Sequence, residues 1–552
     1  MALLERRIGL LFAAFLVLLL LAGGRAVFLG TIKGSSLASA AASQQVSMPT
    51  VPARRGTIVD RNGKELAVAE PANDVSAMPY LIKDPVRTAA KLAPILGIEP
   101  DKLVTKLAGQ KYFVYLARSL PASQAAQIKK LKLAGIELTA AHKRVYPFNE
   151  LASQLLGSVG TDGDGLRGLE YSRNKLLKGT DGQRRLVKDA FGDPIETRDP
   201  TPAKPGAKLE LTLDEAIQGK VEKILRDVGA RYRPKGATAL VMNPNTGEIL
   251  ALANWPSVNA NSPGSAPSWA YQDRGVGFNY EPGSTFKAVT VAGALEDKVV
   301  TPQTSFGLPP TIQVADRVIG ESHPRGSITL TTSQILAQSS NVGAIKIGLE
   351  MGKVRFDSWV RRFGFGKPTG VDLPGEQQGI VLPVKKYSGS SMGNLPIGQG
   401  TLVTPMQMAQ AYAAIANGGI LRAPRIVRRV DGKLVPASRG RRVISESTAR
   451  DVREMLEGVV APGGTASEVE INGYKLAGKT GTASKIDPAT GKYSESRYVA
   501  SFIGFAPALH PKLLIEVIVD EPQTEIYGGV VAAPAFGKIA SFALPYLRIP
   551  PG

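Results

Sequence analysis

Two residues that can carry chemistry stand one helical turn apart, Ser284 and Lys287, in the run Tyr280-Glu-Pro-Gly-Ser-Thr-Phe-Lys287. Pro282 and Gly283 predict a turn, and residues 288–295 are strong helix material. Ser284 is therefore expected at a helix start with Lys287 one turn later, and the i, i+3 spacing puts both on one face. A helix start offers backbone N–H groups to a developing oxyanion. A Lys amine of lowered pKa can take the proton of a hydroxyl. The combination is a serine nucleophile with a lysine base. The pattern alone is common: Ser172-Arg-Asn-Lys175 repeats it, and no chemistry is assigned there. A Ser before a helix is most often a cap.

Order and context single out the first pair. Lys479-Thr480-Gly481-Thr482 is the only Lys-Thr-Gly in the chain and follows an extended stretch, 474–478. Glycine within a strand invites close backbone approach by a ligand. A Lys and two Thr hydroxyls beside it suit an anionic carboxylate. Ser339-Ser-Asn341 lies between, 55 residues past Ser284 and 140 before Lys479.

Composition limits the alternatives. The chain has 552 residues, 67 Lys plus Arg, 47 Asp plus Glu, three His and no Cys. The absence of Cys excludes disulfides, Cys-ligated zinc, iron–sulfur clusters and thiol nucleophiles. His142, His323 and His510 are far apart in sequence, so no His-built metal site is expected. Acid–base chemistry then falls to Lys, Asp, Glu or Tyr, with no metal or organic cofactor. The net charge of +20 is spread along the chain, +8 over 45–205 and +9 over 206–552. With no long like-charge run, it reads as a solvated basic surface, and no nucleic acid is expected as a partner.

The elements that must position these residues are legible in outline. Residues 8–30 form an apolar stretch interrupted only by Arg25, expected as an uncleaved transmembrane anchor. The short tail 1–7 is expected inside the cell and everything downstream exported. Residues 31–50 are a polar spacer. The Pro-rich run 199–206 is expected to form neither a regular helix nor a central strand, and to separate a middle domain, 51–205, from a catalytic domain, 206–552. In the middle domain, 85–92 and 122–131 have helical periodicity, and 184–188 reads as a strand. The catalytic domain opens with a helix at 214–228 and a hairpin of 237–242 and 248–253 around Asn243-Pro-Asn-Thr-Gly247. Thr404 and Pro405 start another helix. The runs 498–505 and 513–519 read as paired strands. Strands at both ends with Ala-rich helices between predict an α/β or α+β domain.

The ordered set Ser-x-x-Lys, Ser-x-Asn and Lys-Thr-Gly resembles that of penicillin-binding proteins and class A β-lactamases. Here the middle motif reads Ser-Ser-Asn. Arg54-Arg-Gly-Thr-Ile-Val-Asp-Arg-Asn-Gly63 resembles the signature that opens the exported non-catalytic domain of class B penicillin-binding proteins. Arg144-Val-Tyr-Pro147, Leu156-Gly157 and Gly168-Leu-Glu-Tyr171 resemble its later motifs. The stretch 280–287, Asn394-Leu-Pro-Ile-Gly-Gln-Gly400, Val403-Thr-Pro-Met-Gln407 and Tyr527-Gly-Gly529 resemble the division-type, FtsI-like branch. No glycosyltransferase segment is expected ahead of the catalytic part.

The resemblance implies a central antiparallel sheet flanked by helices, an elongated mixed α+β pedestal domain and a single transmembrane helix. It implies a serine-type D,D-transpeptidase acting on peptidoglycan stem peptides. Ser284 would be the nucleophile and Lys287 the general base, with a pKa lowered by partial burial and by Lys479. Ser339 would relay a proton to the leaving amine. Asn341 would hold the substrate amide and Lys287. Lys479, Thr480, Gly481 and Thr482 would bind the substrate carboxylate. The backbone N–H groups of Ser284 and Thr482 would form the oxyanion hole. β-Lactams would acylate Ser284, and the implied partners are a SEDS-type glycosyltransferase and other division proteins. A carboxypeptidase or β-lactamase-type hydrolase and an elongation-type class B protein remain the alternatives.

Overall fold

The computed structural model describes residues 2–36, 46–188 and 194–551. The N-terminal apolar segment is helical over Ala2–Val27 and widens into a π-type turn at Phe28–Ile32. At 1.5 Å per residue the helix is about 39 Å long, against a bilayer hydrocarbon core of about 30 Å. Its Leu, Val and Phe side chains are exposed, so no protein core covers them. Leu4–Ile32 is a candidate membrane span. Of the expected spacer, 37–45 lie outside the described residues.

The chain forms two compact units. The smaller comprises 1–54, 72–142 and 179–206, the larger 55–71, 143–178 and 207–552. Segments 55–71 and 143–178 therefore pack with 207–552, across the boundary expected near 205. The cause is pairing between residues far apart in sequence. Ile58–Val59 pairs in parallel with Leu209–Leu211. Leu155, Leu156, Leu169 and Leu177 share one core with Leu213, Ile217 and Val221. The fully buried Glu170 carboxylate accepts from Arg55 Nε and Arg144 Nε, each at 2.6 Å.

In the smaller unit, helices Pro85–Leu96, Pro100–Leu107 and Ala122–Lys130 surround a core that includes Val75, Leu92, Leu103, Leu116 and Ile128. Asp84 caps the first by accepting from Arg87 N at 2.9 Å. A small sheet is built on Gly182–Lys188. One of its strands, Pro194–Thr201, runs into the Pro-rich segment from which a central strand was excluded. It is tolerated because the strand pairs only with Gly182–Lys188, leaving an edge where a proline costs no ladder bond. Asp199 also accepts from Arg184 Nε at 2.7 Å and Nη2 at 3.0 Å.

The larger unit is organised by a five-stranded antiparallel sheet. Its strands are β1 (Gly236–Met242), β2 (Ile249–Trp255), β3 (Ala477–Ile486), β4 (Tyr493–Ala506) and β5 (Leu513–Asp520). Their order is β2-β1-β5-β4-β3. The sheet thus gathers both ends of the segment, and β3, with the Lys-Thr-Gly motif, is an edge. Helix α1 (Glu215–Tyr232) is capped by Asp214, which accepts from Ala216 N and Ile217 N. The other helices that matter here are α2 (Lys287–Glu296), α3 (Asn341–Met351), α4 (Pro405–Ala416) and α5 (Ala533–Tyr546). Thr404 and Gln407 close a capping box on α4. Phe502 of β4 packs on Phe536 of α5, while Glu516 of β5 points the other way and meets Tyr280. The segment Gly528–Tyr546 is also long and apolar enough to cross a membrane. Its Phe536, Ile539, Ala540 and Leu544 are buried in this core, as suits a soluble core helix.

Candidate active site

Ser284 lies in a 3-10 turn, Gly283–Phe286, that runs directly into α2. Gly283 has φ +56°, which Gly adopts without strain, and its N–H donates to Gly398 O at 3.1 Å. Phe286 anchors the turn between Phe356 and Phe365, with ring centroids 6.4 and 5.1 Å away. Burying such a ring stabilises by about 1.5–3 kcal/mol. Tyr412 of α4 donates to Thr285 O at 2.7 Å. The turn is thereby held from below by the core and from the side by the 394–400 loop.

Lys287 is fully buried. Its Nζ lies 2.6 Å from Ser339 O, 3.2 Å from Ser339 Oγ and 2.7 Å from Asn341 Oδ1. A neutral amine fits this set: it donates to the carbonyl and the amide oxygen and keeps its lone pair toward the hydroxyl. Burial pushes the Lys287 pKa down to about 7, and the Glu321 carboxylate opposes the shift. The cause is thus complete burial rather than partial burial aided by Lys479. The repulsion between the two cations is felt at Lys479, which burial first and Lys287 second hold well below the usual lysine range.

Ser339 adopts φ +59°, the left-handed region that a non-glycine residue enters only when its surroundings enforce it. Ser340 caps α3 by accepting from Gly343 N at 3.0 Å. Asn341 is the first residue of α3, and its Nδ2 donates to Gly320 O at 3.0 Å.

The pleat of β3 divides its motif between two faces. Thr480, Thr482 and Ser484 line a cleft of about 670 Å³ together with Ser284, Ser339 and Asn341. Lys479 and Gly481 face the protein instead. The close approach at Gly481 is made by the chain itself: a Cβ there would lie 2.3 Å from Ser501 Oγ and 3.0 Å from both Pro282 O and Thr285 Cγ2. Lys479 is fully buried, and its Nζ reaches Thr480 O and Oγ1 at 3.3 Å. Among the described residues no carboxylate hydrogen-bonds either lysine. Thr482 Oγ1 accepts from Gly528 N at 3.1 Å, which leaves its own proton for a ligand. Thr480 Oγ1 pairs with Thr465 Oγ1 at 2.7 Å.

The structure thus brings Ser284, Lys287, Ser339, Asn341, Lys479, Thr480, Gly481 and Thr482 into one locality. Ser172 and Lys175 are not part of the cleft lining. Glu321, His323 and Gln399 went unread in the sequence. Glu321 has no motif spacing of its own. His323, dismissed as a scattered histidine, lines the cleft beside Tyr527, with ring centroids 5.3 Å apart. Gln399 lies within the 394–400 signature but carried no chemical signal.

Comparison with known proteins identifies the two domains. Residues 237–541 match the penicillin binding protein transpeptidase domain, and 50–211 match the penicillin-binding protein dimerisation domain. The chain is 37% identical to Stage V sporulation protein D of Bacillus subtilis, over 94% of this chain and 82% of that protein. It is 35% identical to the peptidoglycan D,D-transpeptidase FtsI of Escherichia coli, over 99% and 92%. The crystal structure of penicillin binding protein 3 of Mycobacterium tuberculosis complexed with aztreonam superimposes with a TM-score of 0.72. That alignment has 29% identity and covers 91% of this chain and 98% of that one. With the transpeptidase and dimerisation domains both present and the three motifs meeting at one cleft, the chain belongs to the class B penicillin-binding proteins of the FtsI type.

Proposed function

We propose that this chain, a peptidoglycan D,D-transpeptidase by family, crosslinks stem peptides during septal wall synthesis through an acyl-enzyme on Ser284. The observation that carries the reading is the Lys287 amine, buried, lowered to about 7 and held on Ser339 and Asn341 beneath the cleft that Ser284 lines. In this mechanism Lys287 takes the Ser284 proton as Oγ attacks the carbonyl of the D-Ala–D-Ala bond. The N–H groups of Ser284 and Thr482 stabilise the oxyanion. Ser339 passes its proton to the leaving nitrogen and takes the one held by Lys287, the C–N bond breaks and D-Ala departs. An acceptor amine then attacks the acyl carbon, gives up a proton by the same route, and frees Ser284 as the new amide forms. Thr480 and Thr482 hold the donor carboxylate in the cleft, and the buried Lys479, whose Nζ reaches Thr480 Oγ1 at 3.3 Å, supplies positive charge. β-Lactams would take the donor's place and acylate Ser284.

The N-terminal helix supports a single-pass placement in the cytoplasmic membrane, with the chain that follows it on the outer side. A SEDS-type glycosyltransferase and other division proteins are the proposed partners.

The test is labelling of the detergent-solubilised protein with a fluorescent penicillin, followed by assay with a pentapeptide donor and an amine acceptor. Ser284→Ala should abolish labelling, and Lys287→Ala should nearly do so, while Lys175→Ala should leave it unchanged. Labelling of a folded Ser284→Ala protein overturns the assignment. Release of D-Ala with no crosslinked dimer makes the enzyme a hydrolase. A fluorescent fusion along the lateral wall instead of mid-cell makes the role elongation.

A further inference from the structure

The hairpin Thr311–Val314/Arg317–Gly320 ends beside the N-terminus of α3. Its Ile312, Ile319 and Val314 pack on Ala344 and Ile345 of α3 and on Ile397. This satellite core delivers the next residue, Glu321, to the Ser339–Asn341 turn. Glu321 Oε2 accepts from Asn341 N at 2.5 Å, and Oε1 accepts from Ser340 Oγ at 2.6 Å and Val342 N at 3.4 Å. Arg325 pairs with the same carboxylate. Gly320 O takes the Asn341 side-chain amide at 3.0 Å. Two consecutive residues thus hold Asn341 by its backbone and by its side chain, leaving Oδ1 for Lys287 at 2.7 Å.

We infer that Glu321 is a positioning residue for the reaction, fastening the strained Ser339–Asn341 turn so that both residues meet the Lys287 amine. The inference rests on the acyl-enzyme reading above. Ser340 caps only Gly343 N, and Glu321 takes the Asn341 and Val342 N–H groups that this cap leaves at the start of α3. Glu321 is not a surface acid, because its side chain is 6% exposed. The neighbouring Ser339 has φ +59°, a conformation that needs such external fastening. The carboxylate is also the charge that opposes burial at Lys287. The charged groups around that amine are Glu321, its partner Arg325, and Lys479; His323 lines the cleft above.

The experiment is the pH dependence of acylation by a fluorescent penicillin, measured on the full chain in detergent for wild type, Glu321→Gln and Arg325→Met. Removing the negative charge lowers the Lys287 pKa, so in Glu321→Gln the acid limb should move to lower pH by about half a unit or more. The plateau rate should fall about tenfold as Asn341 loses its anchor. Arg325→Met removes a cation beside the carboxylate, so its limb should move to higher pH. A purely structural role would lower the labelled fraction with the midpoint unchanged. An unshifted midpoint in folded Glu321→Gln overturns the inference; if that variant does not fold, an unshifted midpoint in Arg325→Met does so. Either result leaves the acyl-enzyme reading standing, which fails only if wild type is not labelled or Ser284→Ala is.

Discussion

Lys287 Nζ and Asn341 Oδ1 lie 2.7 Å apart, joining two helix starts separated by 54 residues. One side chain provides the amine, the other an acceptor that cannot take a charge. This amide leaves the amine free to be neutral, whereas a carboxylate at the same place would hold it as ammonium.

Replacing Asn341 tests that point. Asn341→Ala removes a hydrogen bond to a chargeable group, worth about 1.5–3 kcal/mol, so penicillin acylation should slow by about 10- to 100-fold. Asn341→Asp should raise the Lys287 pKa, depressing acylation at neutral pH and recovering it in alkali. Wild-type rates for Asn341→Ala would make the contact incidental.

Lys287 should make the fold less stable at neutral pH. Its folded pKa is about 7, against an ordinary value of 10.5. Between these values the unfolded chain binds the extra proton, so stability rises with pH across the window. The penalty is complete below about pH 7 and relieved toward pH 10.5. Lys287→Met should therefore unfold at a higher temperature than wild type at pH 7, with a gap that narrows by pH 10, while losing acylation. Parallel thermal denaturation curves at several pH values check this, and a constant gap would contradict it.

Gly481→Ala should misplace the nucleophile. The added Cβ meets Pro282 O at 3.0 Å, a backbone atom that has little room to yield, as well as Ser501 Oγ at 2.3 Å. Overpacking of this kind costs about 1–3 kcal/mol. Acylation should fall by at least about tenfold, with a lowered denaturation midpoint. If the variant acylates normally, the contact between β3 and the Ser284 turn does not control reactivity.

Glu170→Ala should damage stability without touching the chemistry. It strands the Arg55 and Arg144 guanidinium groups, both nearly buried. Breaking a buried pair this way costs about 3–5 kcal/mol. The folded fraction should keep its acylation rate per active site. A rate loss in the folded fraction would show that the cluster reaches the cleft.

The local elements were legible because they rest on short-range physics. Asp214, Thr404 and Pro405 marked helix starts, and the turn at 243–247 marked the hairpin, since caps and turns are satisfied by neighbours in the chain. The order of the three motifs was equally visible, and with it the resemblance that identified the family. The prolines of 199–206 excluded a helix and a central strand, but whether the run pairs as an edge strand is not encoded in those residues.

What the sequence by itself determined is the set of reactive groups, their order, the apolar N-terminal segment and most helix and strand starts. The tertiary structure alone decided how those groups are deployed. It placed Thr480 and Thr482 in the cleft and turned Lys479 and Gly481 inward, because adjacent residues of a strand face opposite ways. It packed 55–71 and 143–178 with 207–552 through the pairing of Ile58 with Leu209 and the core that Leu155, Leu156 and Leu169 share with Leu213, Ile217 and Val221. It brought Glu321 to the Ser339–Asn341 turn. Each of these depends on burial and on contacts between distant residues, which exist only once the chain has closed on itself, and burial is also what moves the pKa of Lys287.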